Sequence, residues 1–138
     1  MGRGSLNNST VASLNRKEVL EKLGSTSDLS NTDMRRANLT RVDFSGCNLQ
    51  FANFSYANLK DANFFKADLS GASLWNANLE GADFTRANLE EADLDYAKLR
   101  GATFYRANLR RAELPTDLVP REDILSSVKR GGKVGFRN

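Results

Sequence analysis

A period of five governs this chain more tightly than any other feature. From Leu29 to Leu114 every fifth residue is large and apolar, eighteen consecutive positions without a slip. Two residues earlier the side chain is small: Ser27, Thr32, Ala37, Val42 and Cys47, then alanine at every step from Ala52 to Ala112. The slot between them is mostly Asn or Asp, as at Asn53, Asn58, Asn63, Asp68, Asp83, Asn88 and Asp93. The motif is therefore A-[N/D]-[L/F]-X-X. Such a period fits neither an amphipathic helix, at about 3.6 residues, nor an alternating strand, at two. It fits a coil of short straight sides with a bend every five residues. Each side then turns one small and one large residue inward, and the Asn or Asp bonds to nearby backbone at the bend.

Over residues 27–114 this pattern resembles the pentapeptide-repeat family. The resemblance implies an all-β fold, a right-handed quadrilateral β-helix of about 4.5 coils with four repeats per coil. Four sides would stack residues 20 apart, and the sequence sorts that way. Phe44, Phe64, Phe84 and Phe104 form one column, and Leu39, Leu59, Leu79 and Leu99 another. Leu29, Leu49, Leu69, Leu89 and Leu109 form a third; the fourth runs Met34, Phe54, Leu74, Leu94, Leu114. At ~4.8 Å per coil the stack would stand ~20 Å tall.

A solenoid that stops abruptly exposes core and an open sheet edge, so caps are expected at both ends. Residues 1–13 read as a tag remnant or disordered leader. Residues 14–26 read as an N-terminal capping helix. Asn15-Arg16-Lys17-Glu18 has the form of a capping box, Leu14 with Val19 that of a hydrophobic staple, and Glu18 with Lys22 that of an ion pair, with Gly24 as the stop. Val19, Leu20 and Leu23 would lie on the first coil. Residues 115–130 read as a C-terminal capping helix opened by Pro120, with Ile124, Leu125 and Val128 on the last coil, and residues 131–138 as a disordered basic tail.

The stretch from Leu14 to Leu49, in which Arg16-Lys17-Glu18 leads a short helix into the first repeats, is also similar to proteins that join a BTB/POZ (potassium-channel-tetramerisation) domain to pentapeptide repeats. That resemblance implies the recognition arm of a larger adaptor. The further domain would oligomerise and recruit a ubiquitin ligase, while the repeat unit alone would be monomeric.

At 138 residues the chain allows one domain. Histidine is absent, which removes Ser-His-Asp and Cys-His machinery and the commonest metal ligand. No phosphate-cradling glycine loop, Cys-x-x-Cys pair or calcium loop occurs. The expectation is a non-enzyme without cofactor or metal. Cys47 is the single cysteine and falls in an inward slot, so no intrachain disulfide exists and a reducing, cytoplasmic setting fits. No apolar run approaches the roughly 20 residues of a membrane-spanning helix. Net charge is +3, but residues 28–114 hold 11 basic and 12 acidic side chains. A neutral body argues against nucleic acid as partner, and equally against the strongly acidic, DNA-mimicking members of the resembled family that protect a bacterial topoisomerase.

What remains is the outer surface formed by the two X positions. Sorted by column, Tyr56, Trp75 and Tyr96 share one face on successive coils, and exposed Trp and Tyr dominate interface hot spots. This is the expected protein-binding patch. A second face stacks Lys66, Arg86 and Arg106 beside Phe65 and Tyr105, a ridge suited to an anionic partner. Glu90, Glu91, Asp93 and Asp95 read as a solvated acidic patch. A repeat with no partner of its own, acting as a structural spacer, is the remaining alternative.

Overall fold

The unit Ala52–Tyr56 shows how one motif satisfies its own backbone. The Ala52 amide closes the preceding bend on the Leu49 carbonyl (3.1 Å), and the Asn53 amide donates to Thr32 O on the coil before (2.9 Å). The Phe54 and Tyr56 amides donate to Ser73 O (2.7 Å) and Trp75 O (3.0 Å) on the coil after. The fifth donor, the Ser55 amide, is taken by Asn53 Oδ1 (3.0 Å). All five donors thus have partners, which is why the slot favours a short side-chain carbonyl. The computed structural model describes residues 13–115 and 119–135, and the coil-to-coil pairing of this unit recurs from Asp28 to Glu113.

Fourteen parallel bridges join residues 20 apart, from Asp28 with Asn48 to Asp93 with Glu113, so four units complete one coil. The all-β expectation needs refinement. Each side pairs through one bridging residue rather than a strand, because the next two residues are consumed by the bend. The second X residue of every unit from Asn31 to Arg111 adopts positive φ, close to 60° at the thirteen positions that are not glycine. A left-handed non-glycine residue costs about 1–2 kcal/mol. The bend between sides imposes that cost everywhere, while Gly46, Gly71, Gly81 and Gly101 avoid it.

Inside, the columns form one continuous core. Phe44, Phe64, Phe84 and Phe104 stack with ring centroids 4.9–5.3 Å apart and planes within 7° of parallel. Phe54 meets Phe44 and Phe64 edge-on. The small slots beside them are buried too, from Ala37, Val42 and Cys47 through the alanines from Ala52 to Ala107.

Helix α1, Arg16–Leu23, carries the reciprocal capping box between Asn15 and Glu18. Its segment satisfies the open top edge. Asp33 O accepts from the Leu14 amide (2.8 Å), Arg35 O from Ser13 Oγ (2.8 Å), and Asn38 O and Thr40 O from the Arg16 guanidinium (3.2 and 2.9 Å). Two expectations are corrected here. Val19 is buried and Leu23 half-buried, but Leu20 is 45% exposed, because successive residues on a helix cannot share a face. Glu18 forms no salt bridge to Lys22; its carboxylate accepts from the Asn15 amide instead (3.0 Å).

Helix α2, Arg121–Arg130, covers the last coil. Ile124 is buried, whereas Leu125 faces out at 42% exposed and the hydroxyl of Ser127 takes the inner position. Ser127 Oγ accepts from the Phe104 amide (3.0 Å) and donates to Gly132 O (2.7 Å). Residues 131–135 correct the expectation of a disordered tail over 131–138. Val134 is buried, its amide donates to Ala102 O (2.8 Å), and its carbonyl accepts from the Gly101 amide (2.7 Å). The bottom coil's unpaired groups hold this segment in place. Residues 1–12 of the expected leader, 116–118 of the expected C-terminal cap and 136–138 of the tail lie outside the described residues.

Candidate functional site

One face of the solenoid brings Tyr56, Trp75 and Tyr96, on three successive coils, into one strip. Trp75 occupies the first X position and the two tyrosines the second, so the rings interleave rather than stack in register. The Trp75 ring stands edge-on to Tyr56 (5.2 Å, 82°) and to Tyr96 (5.7 Å, 81°). Such pairs hold each other in fixed orientations. Tyr56 and Tyr96 remain 43% and 53% exposed. Their left-handed backbone throws the side chains outward at the corner of the coil.

Arg36, which the sequence reading did not single out, extends this strip. Its guanidinium lies 4.6 Å over the Tyr56 ring centroid. The signal was present, since Arg36 precedes Tyr56 by one full coil of 20 residues. Its neighbour Arg35 is instead bound to Asp33 through a salt bridge (2.8 Å).

The strip also interrupts the bend pattern. Asn53 caps the Ser55 amide on the coil above (3.0 Å), and Asp93 caps the Asp95 amide on the coil below (2.9 Å). Between them the slot residue is Ser73, whose hydroxyl pairs with Ser55 Oγ (2.9 Å). The Trp75 amide is left with no acceptor among the described residues.

The second face places Lys66, Arg86 and Arg106 at consecutive left-handed positions, all exposed, with no salt bridge to any of them among the described residues. The Lys66 ammonium lies 5.3 Å from the centroid of Phe65, and the Arg106 guanidinium 5.2 Å from that of Tyr105. The capping segment crowds this ridge at its lower end, where the Arg106 amide donates to Val128 O (3.0 Å).

One feature escaped the sequence reading. Phe51 is 63% exposed, and its ring lies across Gly71 so closely that a Cβ there would fall 2.4 Å from Cε1. Together with Ser70, Asn88, Glu90 and Glu91 these residues line an open hollow of about 470 Å³. The pairing of a large residue with a glycine 20 positions later was the available signal. The expected acidic patch divides: Glu90 and Glu91 border this hollow, Asp93 caps a bend, and Asp95 lies beside Tyr96 on the aromatic face. Among the described residues, no group of three or more His, Cys, Asp or Glu side chains is placed to hold a metal ion. No helix among them is long and apolar enough to cross a membrane.

The model described as "Pentapeptide repeat region" matches residues 25–94, and that described as "Pentapeptide repeats (8 copies)" matches 87–115. Among solved structures, a pentapeptide repeat protein from Nostoc Pcc 7120 is 30% identical, with a TM-score of 0.73 over 86% of this chain and 98% of its own. A second Nostoc protein, HetL, involved in heterocyst differentiation regulation, is 34% identical over 62% of this chain and 46% of its own (TM-score 0.49). A pentapeptide repeat protein from the Arabidopsis thaliana thylakoid lumen is 29% identical over 81% of this chain and 88% of its own (TM-score 0.45). No curated protein matches the chain at a level that marks a relative. The first of these likenesses implies that the four-sided coil is the right-handed quadrilateral β-helix expected from the repeat.

Proposed function

The chain belongs to the pentapeptide-repeat family, and from that premise we propose that it is a non-enzymatic protein-binding module whose contact surface is the strip of Tyr56, Trp75 and Tyr96. The observation that carries this reading is the edge-to-face contact of three partly exposed aromatic rings on successive coils of a rigid scaffold. Large aromatic side chains held in fixed orientation lose little freedom on binding and supply most of the energy at interfaces. The neutral body and the absence of histidine support a binding role over catalysis. The resemblance of residues 14–49 to BTB/POZ-linked repeats supports a place for the module as the recognition arm of a cytoplasmic adaptor.

The test is affinity capture from cell extract with the intact chain beside a Tyr56→Ala/Trp75→Ala/Tyr96→Ala variant. Loss of a partner with the variant, at unchanged thermal stability, is the expected result; equal capture by both would remove the strip as the contact surface. A second reading, an anionic partner on Lys66, Arg86 and Arg106, is favoured by their lack of salt bridges among the described residues. It predicts an affinity that falls steeply with salt.

A further inference from the structure

We propose that the aromatic strip takes an extended, proline-bearing segment of a protein partner in the polyproline II form. This rests on the protein-binding reading and narrows it to one chemistry. Three observations lead there.

The first is spacing. Trp75 stands as a ridge between Tyr56 and Tyr96, which lie two coils apart, ~9.6 Å at the usual strand separation. A polyproline II segment repeats every three residues, or ~9.3 Å. Prolines at i and i+3 would therefore rest on the two tyrosine rings with the indole edge between them. The second is the unpaired Trp75 amide. A polyproline II segment makes no internal hydrogen bonds, so its carbonyls need donors from the surface it meets. Ser73 in the slot leaves such a donor free at the centre of the strip, whereas at the other first X positions of this face the amides of Arg35, Ser55 and Asp95 are capped. A helical segment, whose carbonyls are already bonded, has no use for it.

The third is charge. At the upper end Arg36 lies over Tyr56 with no salt bridge among the described residues, and at the lower end Asp95 follows Leu94 beside Tyr96, likewise without one. They stand three coils apart, ~14 Å, or about five residues of polyproline II. The fitting segment carries an acidic residue at one end and a basic residue at the other. The carboxylate of Asp95 disfavours a phosphate-bearing strand on the same path.

Trp75 is the single tryptophan, so its emission reports occupancy of the strip directly. The full chain is titrated with a synthetic peptide bearing prolines at i and i+3, flanked by an aspartate and a lysine, made in both orders. The same peptide with alanine for proline is the control. We expect a saturable change with one order, weakened at least about tenfold by the alanine peptide and by Tyr56→Ala or Tyr96→Ala. Ser73→Asn restores the missing cap on the Trp75 amide. It should weaken binding about three- to tenfold with the melting temperature unchanged or raised, whereas Ser73→Ala, which leaves the amide free, should bind as the intact chain does. The proposal is overturned if neither order alters Trp75 emission, if proline and alanine peptides bind alike, or if Ser73→Asn binds undiminished. If the peptides fail while capture from extract still depends on the three aromatic residues, only this inference falls. If capture survives their loss, the protein-binding reading falls with it.

Discussion

Removing one ring from the middle of the phenylalanine column measures how the solenoid holds together. Phe64 is fully buried, stacked on Phe44 (5.3 Å) above and Phe84 (4.9 Å) below, with Phe54 edge-on at 5.9 Å. Phe64→Ala deletes the side chain and leaves a cavity that the flanking coils cannot close, because their spacing is fixed by the backbone bonds Phe64 N–H to Asp83 O (2.8 Å) and Phe44 N–H to Asn63 O (2.7 Å). A buried Phe→Ala change costs about 3–5 kcal/mol, and the rigid surroundings place this site near the upper value. For a chain of this size that corresponds to a melting temperature lower by about 15–20 °C. Phe104 stacks on one ring only, Phe84 at 4.9 Å, and its other side meets the capping segment that can follow it inward. Phe104→Ala should therefore cost clearly less, about 3 kcal/mol. Urea denaturation followed by circular dichroism reads both. Equal losses at the two positions, or a loss below about 1 kcal/mol at Phe64, would refute a core that is continuous along the column.

Other consequences concern the bends and the titrating groups. Arg41→Gly should stabilise the chain by about 0.5–1 kcal/mol, since φ is 60° there and the relief exceeds the extra freedom glycine gives the unfolded chain; thermal melts decide it. Gly71→Ala should destabilise it by about 1–2 kcal/mol and displace the Phe51 ring. Burial, aided by Asp43, pushes the Cys47 thiol above its usual 9.0, so a thiol reagent at pH 8 should label it slowly until denaturant is added. Asp33 is held below its ordinary value, first by the hydrogen bond from the Arg35 side chain and also by the Arg35 amide. A carboxylate depressed in the fold adds stability above its ordinary range that is lost as pH falls through the lowered value. Asp33→Asn should therefore flatten the acid limb of a melting-temperature profile below about pH 4.

The core was legible because the period never slips: once Phe44, Phe64, Phe84 and Phe104 fall 20 apart, their stacking follows from geometry alone. The meeting of Tyr56, Trp75 and Tyr96 was legible for the same reason. The edge-on orientation of their rings was not, because it depends on the left-handed backbone at the second X position, which leaves no mark on residue choice outside the glycines. Arg36 and Phe51 carry no signal in their own residue type; what marks each is the residue one coil away, Tyr56 and Gly71. Leu20 and Leu125 are apolar yet face out, because Val19 with Leu23 and Ile124 with Val128 already fill the only face each short helix can bury. Val134 was hidden by its charged surroundings. What orders that segment is the set of unpaired groups on the last coil, such as the Gly101 amide, which no local pattern reveals.

The most direct measurement is the fluorescence of Trp75, recorded while the captured partner is added at low and at high salt, with acrylamide quenching in each state. Recognition through the aromatic strip predicts a saturable shift in emission, protection from acrylamide, and an affinity that changes little with salt. A partner that binds while Trp75 emission and quenching stay as they are in the free chain would contradict the account, and a steep loss of that binding with salt would move recognition to Lys66, Arg86 and Arg106.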